Sequence, residues 1–197
     1  GKYFLLALII IVLDQATKLW VYYNMDMGVA GQIKIIGNWV KIHYTLNPGM
    51  AFGLRIGFKY GKLLLTVCRI LAAILISQYM WRLARAAHQS SLLLSGWAMV
   101  LGGAIGNVVD SVFYAVLLDN APTGAPMKWF YGQVIDMIYV DIWETQVPHW
   151  VPWLGSKHFS FFPVFNLADV AIFLGIAAII LSTGLADNIE EQPVQMY

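Results

Sequence analysis

An asparagine and an aspartate, Asn166 and Asp169, open an otherwise apolar run that extends from Val170 to Leu181. The three-residue spacing places both side chains on one face of a helix, and the run is apolar enough for that helix to lie in a bilayer. Carboxylates inside a membrane are costly and are therefore candidates for function. The alternative interpretation is that Asp169 only caps the start of the helix.

A second apolar stretch repeats this spacing with Asn107 and Asp110. Four small residues between positions 102 and 106 precede the pair, and small residues at this density allow helices to pack closely in lipid. Spacing alone therefore predicts two helices that each present an amide and a carboxylate at one depth. On that basis Asp110 would be paired with Asp169.

The composition indicates an integral membrane protein. Of the 197 residues, 59% are apolar and only 12% are charged. This apolar fraction is larger than the core of a soluble domain needs. A net charge of +1 without any Lys/Arg run lacks the electrostatic footprint for nucleic acid. The single cysteine, Cys68, excludes an intrachain disulfide and the Cys/His spacings of zinc sites. No metal and no cofactor are predicted.

Four segments approach the length of about 20 residues that a spanning helix needs: about 3–23, 62–81, 92–117 and 164–183. An even number of spans puts both termini on one side, and the two long connections, 24–61 and 118–163, share the opposite face. Arg82 and Arg85 in the short connection favour a cytoplasmic position for it and for the termini. We expect a single membrane domain over residues 1–197, all-α apart from a small β element.

This topology predicts where polar side chains should fall if they serve one site. They should lie late in the first and third spans and early in the second and fourth. They do so, and are expected to converge in the leaflet next to the long connections: Asp14, Gln15, Lys18, Arg69, Asn107, Asp110, Asn166 and Asp169. Asp14 and Lys18 are one turn apart and can pair. Arg69 either snorkels to the interface or forms a salt bridge with Asp14 or a lipid head group.

The long connections carry β-like patterns. Residues 32–46 indicate a hairpin with a two-residue turn at Gly37-Asn38, followed by a turn-forming Asn-Pro-Gly at positions 47–49. The run 132–141 is also β-like. It contains Asp136 between apolar neighbours, and the tryptophans that follow suggest a segment lying in the interface.

Five motifs in one order over residues 14–169 resemble those of the lipoprotein signal peptidases (signal peptidase II): Asp14-Gln15-x-x-Lys18, Asn47-Pro48-Gly49-x-Ala51-Phe52, Gly102-Gly103-Ala104-x-Gly106-Asn107-x-x-Asp110, Val134-Ile135-Asp136 and Phe165-Asn166-x-Ala168-Asp169. The resemblance implies an aspartyl endopeptidase of the bacterial cytoplasmic (inner) membrane and a target of globomycin. Such an enzyme removes signal peptides from diacylglyceryl-modified prolipoproteins by cutting before the lipidated cysteine. Its partners would be that substrate and membrane lipid, and we expect a monomer.

The resemblance also implies which residues form the site. The catalytic aspartates match Asp136 and Asp169, so Asp110 becomes a supporting residue. Positions that the family needs for activity or for holding the site together match Asp14, Lys18, Asn47, Gly49, Asn107, Asp110 and Asn166. The hairpin matches an extracytoplasmic β-cradle, which would place the active site near the extracytoplasmic face and the termini in the cytoplasm.

Two departures from the family pattern bear on these assignments. Ser111 stands where the motif usually continues to an arginine, whose role is then absent or supplied by another group such as Arg69. About two dozen residues separate Asp110 from Asp136, more than in most members, which leaves Asp141 as an alternative second aspartate.

Two other functions compete with a peptidase. A small transporter or proton relay also uses intramembrane aspartates, but it predicts polar residues through the full membrane depth. Here the half of each span that lies away from the long connections is apolar, apart from Ser, Thr and Gln near the ends. A scaffold protein would leave the shared depth of the carboxylates unexplained.

Overall fold

Four long helices dominate the computed structural model, which describes residues 1–48, 59–86, 89–142, 144–146, 158–160 and 163–190. Their bounds are α1 Lys2–Asn24, α2 Gly61–Leu83, α3 Ser91–Leu117 and α4 Leu167–Glu190. Each is long and apolar enough to cross a membrane. The four predicted spans are thereby confirmed, although α4 begins three residues later than the predicted start at position 164.

The helices expose apolar side chains and bury charged ones, the reverse of a soluble protein. On α1, Leu8 and Val12 are more than half exposed, whereas Asp14 and Lys18 are fully buried. Helix α3 is central and packs against the other three helices. Its buried face therefore contacts every helix that carries a candidate site residue.

Glycines permit the close contact between α3 and α4. A Cβ on Gly96 would lie 2.8 Å from the carbonyl oxygen of Gly175, and a Cβ on Gly175 would lie 2.6 Å from that of Gly96. At the level of the polar residues, a Cβ on Gly106 would lie 2.6 Å from Asp14 Oδ2. The small residues of α3 thus have the packing role expected in lipid.

A small antiparallel sheet joins the two long connections. Its strands are β1 Ile33–Ile36, β2 Val40–Asn47 and β3 Val134–Val140, in that order across the sheet. Because β2 belongs to the first long connection and β3 to the second, both connections lie at the same end of the helices, as predicted. Strands β4 (Glu144–Gln146) and β5 (His158–Ser160) form a separate antiparallel pair.

The predicted hairpin is present, but its turn is longer than expected. Ile36 pairs with Val40, so the turn contains three residues, 37–39, rather than Gly37-Asn38 alone. Gly37 has a φ of +52°, a conformation that glycine adopts without steric cost. The alternation of the second arm identified the strand correctly but did not fix the residue at which it begins.

Candidate active site

The bridge between β3 and the start of α4 positions the two aspartates implied by the resemblance. Ile138 N–H donates to the Phe165 carbonyl at 2.7 Å, and Phe165 N–H donates to the Ile138 carbonyl at 3.0 Å. Phe165 directly precedes Asn166, and Asp136 lies two residues before Ile138. The paired backbone bonds therefore hold the strand that carries Asp136 against the start of the helix that carries Asp169.

Asn166 and Asp169 cap α4 reciprocally. Asp169 N–H donates to Asn166 Oδ1 at 3.0 Å, and Asn166 N–H donates to Asp169 Oδ2 at 3.2 Å, the arrangement of a capping box. Asn166 thus precedes the helix, so the expectation that both residues lie on one helical face is wrong. Capping is only part of what Asp169 does, because its Oδ1 also accepts from Asn107 Nδ2 at 2.9 Å.

Asp136 is buried on β3 between two asparagines. Asn166 Nδ2 donates to its Oδ1 at 2.7 Å and Asn47 Nδ2 donates to its Oδ2 at 2.9 Å. Asn47 reaches it diagonally across the β2–β3 ladder, in which Asp136 pairs with Thr45. Burial raises the pKa of Asp136 to about 7, and the charge of Asp169 adds to the rise, whereas the two amide bonds oppose it.

A separate group of charges surrounds Lys18. Its Nζ lies 2.7 Å from Asp14 Oδ2 and 2.6 Å from Asp110 Oδ2, and all three side chains are fully buried. Gln15 Nε2 donates to Asp110 Oδ1 at 2.9 Å and to Asp14 Oδ2 at 3.1 Å. The predicted pairing of Asp14 with Lys18 is confirmed. The spacing that would pair Asp110 with Asp169 was misleading, because Asp110 is engaged by Lys18.

Asn107 links the Lys18 group to the aspartates of β3 and α4. Its Oδ1 accepts from Lys18 Nζ at 3.0 Å and from Asn166 Nδ2 at 3.2 Å, while its Nδ2 donates to Asp169. Asp14 Oδ1 also accepts from the backbone N–H of Ala168 at 2.9 Å. Polar residues of α1, α3, β3 and α4 therefore form one hydrogen-bonded network.

Arg69 of α2 contacts Ser111, the position at which this chain departs from the family motif. Its Nη1 donates to Ser111 Oγ at 2.9 Å, and Ser111 Oγ donates to the Asn107 carbonyl at 2.8 Å. The guanidinium charge interacts with several carboxylates of the network, most strongly with that of Asp169. Arg69 thus extends toward the network instead of snorkelling to the interface.

The structure brings together all the candidate site residues that it describes, and Gly49 lies outside the described residues. Asp141 does not join the network, because it pairs with Lys41 Nζ at 2.5 Å and is partly exposed. Within the described part of the chain, no group of three or more His, Cys, Asp or Glu side chains is arranged to hold a metal ion.

Two residues close to the hydrogen-bonded network were not predicted from the sequence. Tyr114 donates to Gln15 Oε1 at 2.9 Å, and Lys62 has a buried ammonium group on α2. The spacing of Lys62, Thr66 and Arg69 was the available signal, because these positions share one face of a helix.

Four spanning helices around a buried network of carboxylates and amides define a multi-pass membrane protein with an enzyme-like site. The family model described as signal peptidase (SPase) II matches residues 6–185. The chain belongs to the signal peptidase II family, whose members are peptidases of the bacterial inner membrane.

Named relatives agree with this assignment, and a solved structure agrees with the fold. The lipoprotein signal peptidase of Amoebophilus asiaticus is 55% identical over 196 residues, which is 100% of this chain and 82% of that protein. The lipoprotein signal peptidase of Porphyromonas gingivalis is 36% identical, over 89% of this chain and 80% of that protein. A solved bacterial membrane enzyme has the same fold, with a TM-score of 0.64 at 21% identity over 100% of this chain and 95% of that one.

Proposed function

We propose that this protein is an aspartyl endopeptidase that removes signal peptides from diacylglyceryl prolipoproteins by cutting before the lipidated cysteine. Asp136 and Asp169 are its catalytic pair. The observation that carries the proposal is that one residue, Asn166, hydrogen-bonds both carboxylates. None of the ion pairs among the described residues includes either carboxylate, so both retain the capacity to exchange protons.

Asn166 holds both carboxylates, and the negative charge of Asp169 adds to the rise that burial causes in the pKa of Asp136. We propose that Asp136 carries the proton in the resting enzyme, because burial raises its pKa to about 7. Asp169 is partly exposed and lies in the first turn of α4, where the helix dipole favours a negative charge. Asp169 is therefore the base that deprotonates the attacking water, and Asp136 is the acid that protonates the scissile carbonyl oxygen.

The surrounding amides hold this pair in position. Asn107 fixes the Asp169 carboxylate, and Asn47 fixes that of Asp136. When the tetrahedral intermediate breaks down, Asp169 passes the proton taken from water to the leaving nitrogen and the C–N bond breaks. Asp136 takes back its proton as the C=O bond re-forms, and the released nitrogen becomes the amino terminus of the lipidated cysteine. No step needs a nucleophilic side chain, because water attacks directly.

The membrane contributes proximity. The network lies at the ends of the helices that meet the long connections, and the diacylglyceryl group of the substrate would hold the scissile bond at this depth. We assign this end to the extracytoplasmic face and the termini to the cytoplasm, which agrees with Arg82 and Arg85 in the short connection. The active unit is one chain, since the network closes within a single copy.

A transporter is the less favoured alternative. It requires polar groups through the whole membrane depth. In the described part of the helices, the buried charged residues are confined to the end next to the long connections: Asp14, Lys18 and Asp110.

The test is cleavage of a purified diacylglyceryl prolipoprotein and of its unlipidated form. Asp136→Asn and Asp169→Asn should lower kcat by about 10²- to 10⁴-fold, the usual contribution of a general acid or base. The matched control is Asp141→Asn, which removes a nearby carboxylate on the same connection and should cleave at the wild-type rate. The unlipidated form should resist all four proteins. Near wild-type cleavage by Asp136→Asn or Asp169→Asn at equal expression would refute the assignment.

A further inference from the structure

One face of α2 is turned toward the catalytic network. Thr66 Oγ1 donates to the Phe130 carbonyl at 2.9 Å, and Arg69 Nη1 donates to Ser111 Oγ at 2.9 Å. Lys62 lies one turn before Thr66 on this face. The face therefore presents two cations on the side of α2 that meets α3 and the segment following it.

Among the described residues, the ammonium group of Lys62 forms no ion pair like those that Lys18 and Lys41 form with aspartates. Its Nζ is buried and has no hydrogen-bond partner among the residues that the structure describes. A lysine at the end of a spanning helix normally extends its charge into water. The charge of Lys62 is instead repelled by Arg69 and attracted by Asp110. A buried donor without a partner is costly, so this ammonium is suited to an acceptor that arrives with a ligand.

Hydrolysis of the scissile bond generates such an acceptor. Water adds to the carbonyl carbon, the C–N bond breaks, and the amine leaves with a proton. The released signal peptide then ends in a carboxylate where the substrate had a neutral amide. This new anion forms beside Asp136 and Asp169, whose negative charge repels it, so it needs a cation in the same space.

We propose that Lys62, with Arg69 beside it, binds the C-terminal carboxylate of the released signal peptide. Arg69 supplies a positive charge whose strongest carboxylate interaction is with Asp169. Lys62 supplies a donor that has no hydrogen-bond partner in the described part of the chain. The proposal rests on the proposed peptidase function, and it predicts inhibition by the product acid.

The experiment compares two peptides that reproduce the C-terminal half of a signal peptide, one with a free carboxylate and one with a C-terminal amide. Their affinities for the purified protein are measured by fluorescence anisotropy. The wild type should bind the acid about tenfold or more tightly than the amide, as expected for a charge-assisted hydrogen bond. Lys62→Met should abolish this preference. Lys59→Met is the matched control, because Lys59 is exposed three residues earlier, and it should keep the preference.

Two results would overturn the proposal: equal affinity of the wild type for acid and amide, or an undiminished acid preference in Lys62→Met. The wild-type comparison needs no variant and is decisive even if Lys62→Met does not fold. Cleavage of the prolipoprotein is measured separately, so failure of the proposed function appears as an absence of cleavage and failure of the carboxylate subsite as an absence of acid preference.

Discussion

The two groups of carboxylates in this protein are held by different kinds of partner. Asp14 and Asp110 contact the ammonium of Lys18, whereas Asp136 and Asp169 are held by the amides of asparagines. The ammonium of Lys18 places a full positive charge between its two neighbouring carboxylates, and opposite charges attract strongly in a buried site. The asparagine amides are neutral donors, so they leave the carboxylates of Asp136 and Asp169 able to take up or release a proton. The difference separates the carboxylates that hold helices together from those suited to acid–base chemistry.

The groups also differ in the elements that they connect. The Lys18 group joins α1 to α3 within the membrane, and the aspartate pair joins β3 to the start of α4. Asn107 contacts both groups. Packing of the helices and placement of the proposed catalytic pair are therefore coupled through one side chain, although we assign the chemistry to the second group alone.

The largest effect should come from breaking the Lys18 group. Lys18→Met leaves two buried carboxylates without their cation and should lower the free energy of unfolding by about 3–5 kcal/mol. Asp14→Leu/Lys18→Met should recover only part of this loss, because Asp110 still lacks its cation. Adding Asp110→Asn should recover more. Unfolding in detergent micelles measures all three, and equal stability of the single and triple mutants would show that charge pairing is irrelevant here.

A smaller effect should follow from removing the cation of Arg69, whose charge interacts with the proposed catalytic pair. Arg69→Met should lower kcat/KM by about 10- to 100-fold, since one charge-assisted interaction contributes about 1.5–3 kcal/mol. Arg69→Met/Ser111→Arg returns a guanidinium from α3 to the same space, at the position where the family usually has arginine. The double mutant should regain most of the activity in the prolipoprotein cleavage assay. A double mutant no better than Arg69→Met would mean that Arg69 does not replace the missing arginine.

The sequence predicted those features that depend on local patterns and helix direction. Apolar run length identified the four spans, and the alternating direction of the helices predicted that their polar residues would meet at one depth. Asp14 and Lys18 were recognisable as a pair because they are one turn apart on α1.

Features that depend on contacts between distant segments were not predictable in this way. Spacing favoured Asp110 as the partner of Asp169, since a repeated pattern reveals a helix face but not that a lysine of α1 occupies it. The bond from Asn47 to Asp136 across the β2–β3 pairing and the bond from Asn166 to Asp136 join residues about 90 and 30 positions apart. Apolar neighbours distinguish Asp136 in the sequence, but only the resemblance to a known family implied its catalytic role.

The remaining prediction concerns the pH dependence of stability and tests whether Asp136 holds a proton in the folded protein. The pKa of Asp136 is raised to about 7 in the folded protein from an ordinary value of 3.8, so the folded state binds its proton more tightly than the unfolded state does. The stabilisation is complete below about pH 4 and is lost as the pH rises to about 7, with a slope of at most about 1.4 kcal/mol per pH unit. Asp136→Asn cannot titrate, so its stability should fall less over this range. Parallel stability curves for the two proteins in micelles between pH 4 and 8 would contradict a proton held at Asp136, and the acid would then have to be Asp169.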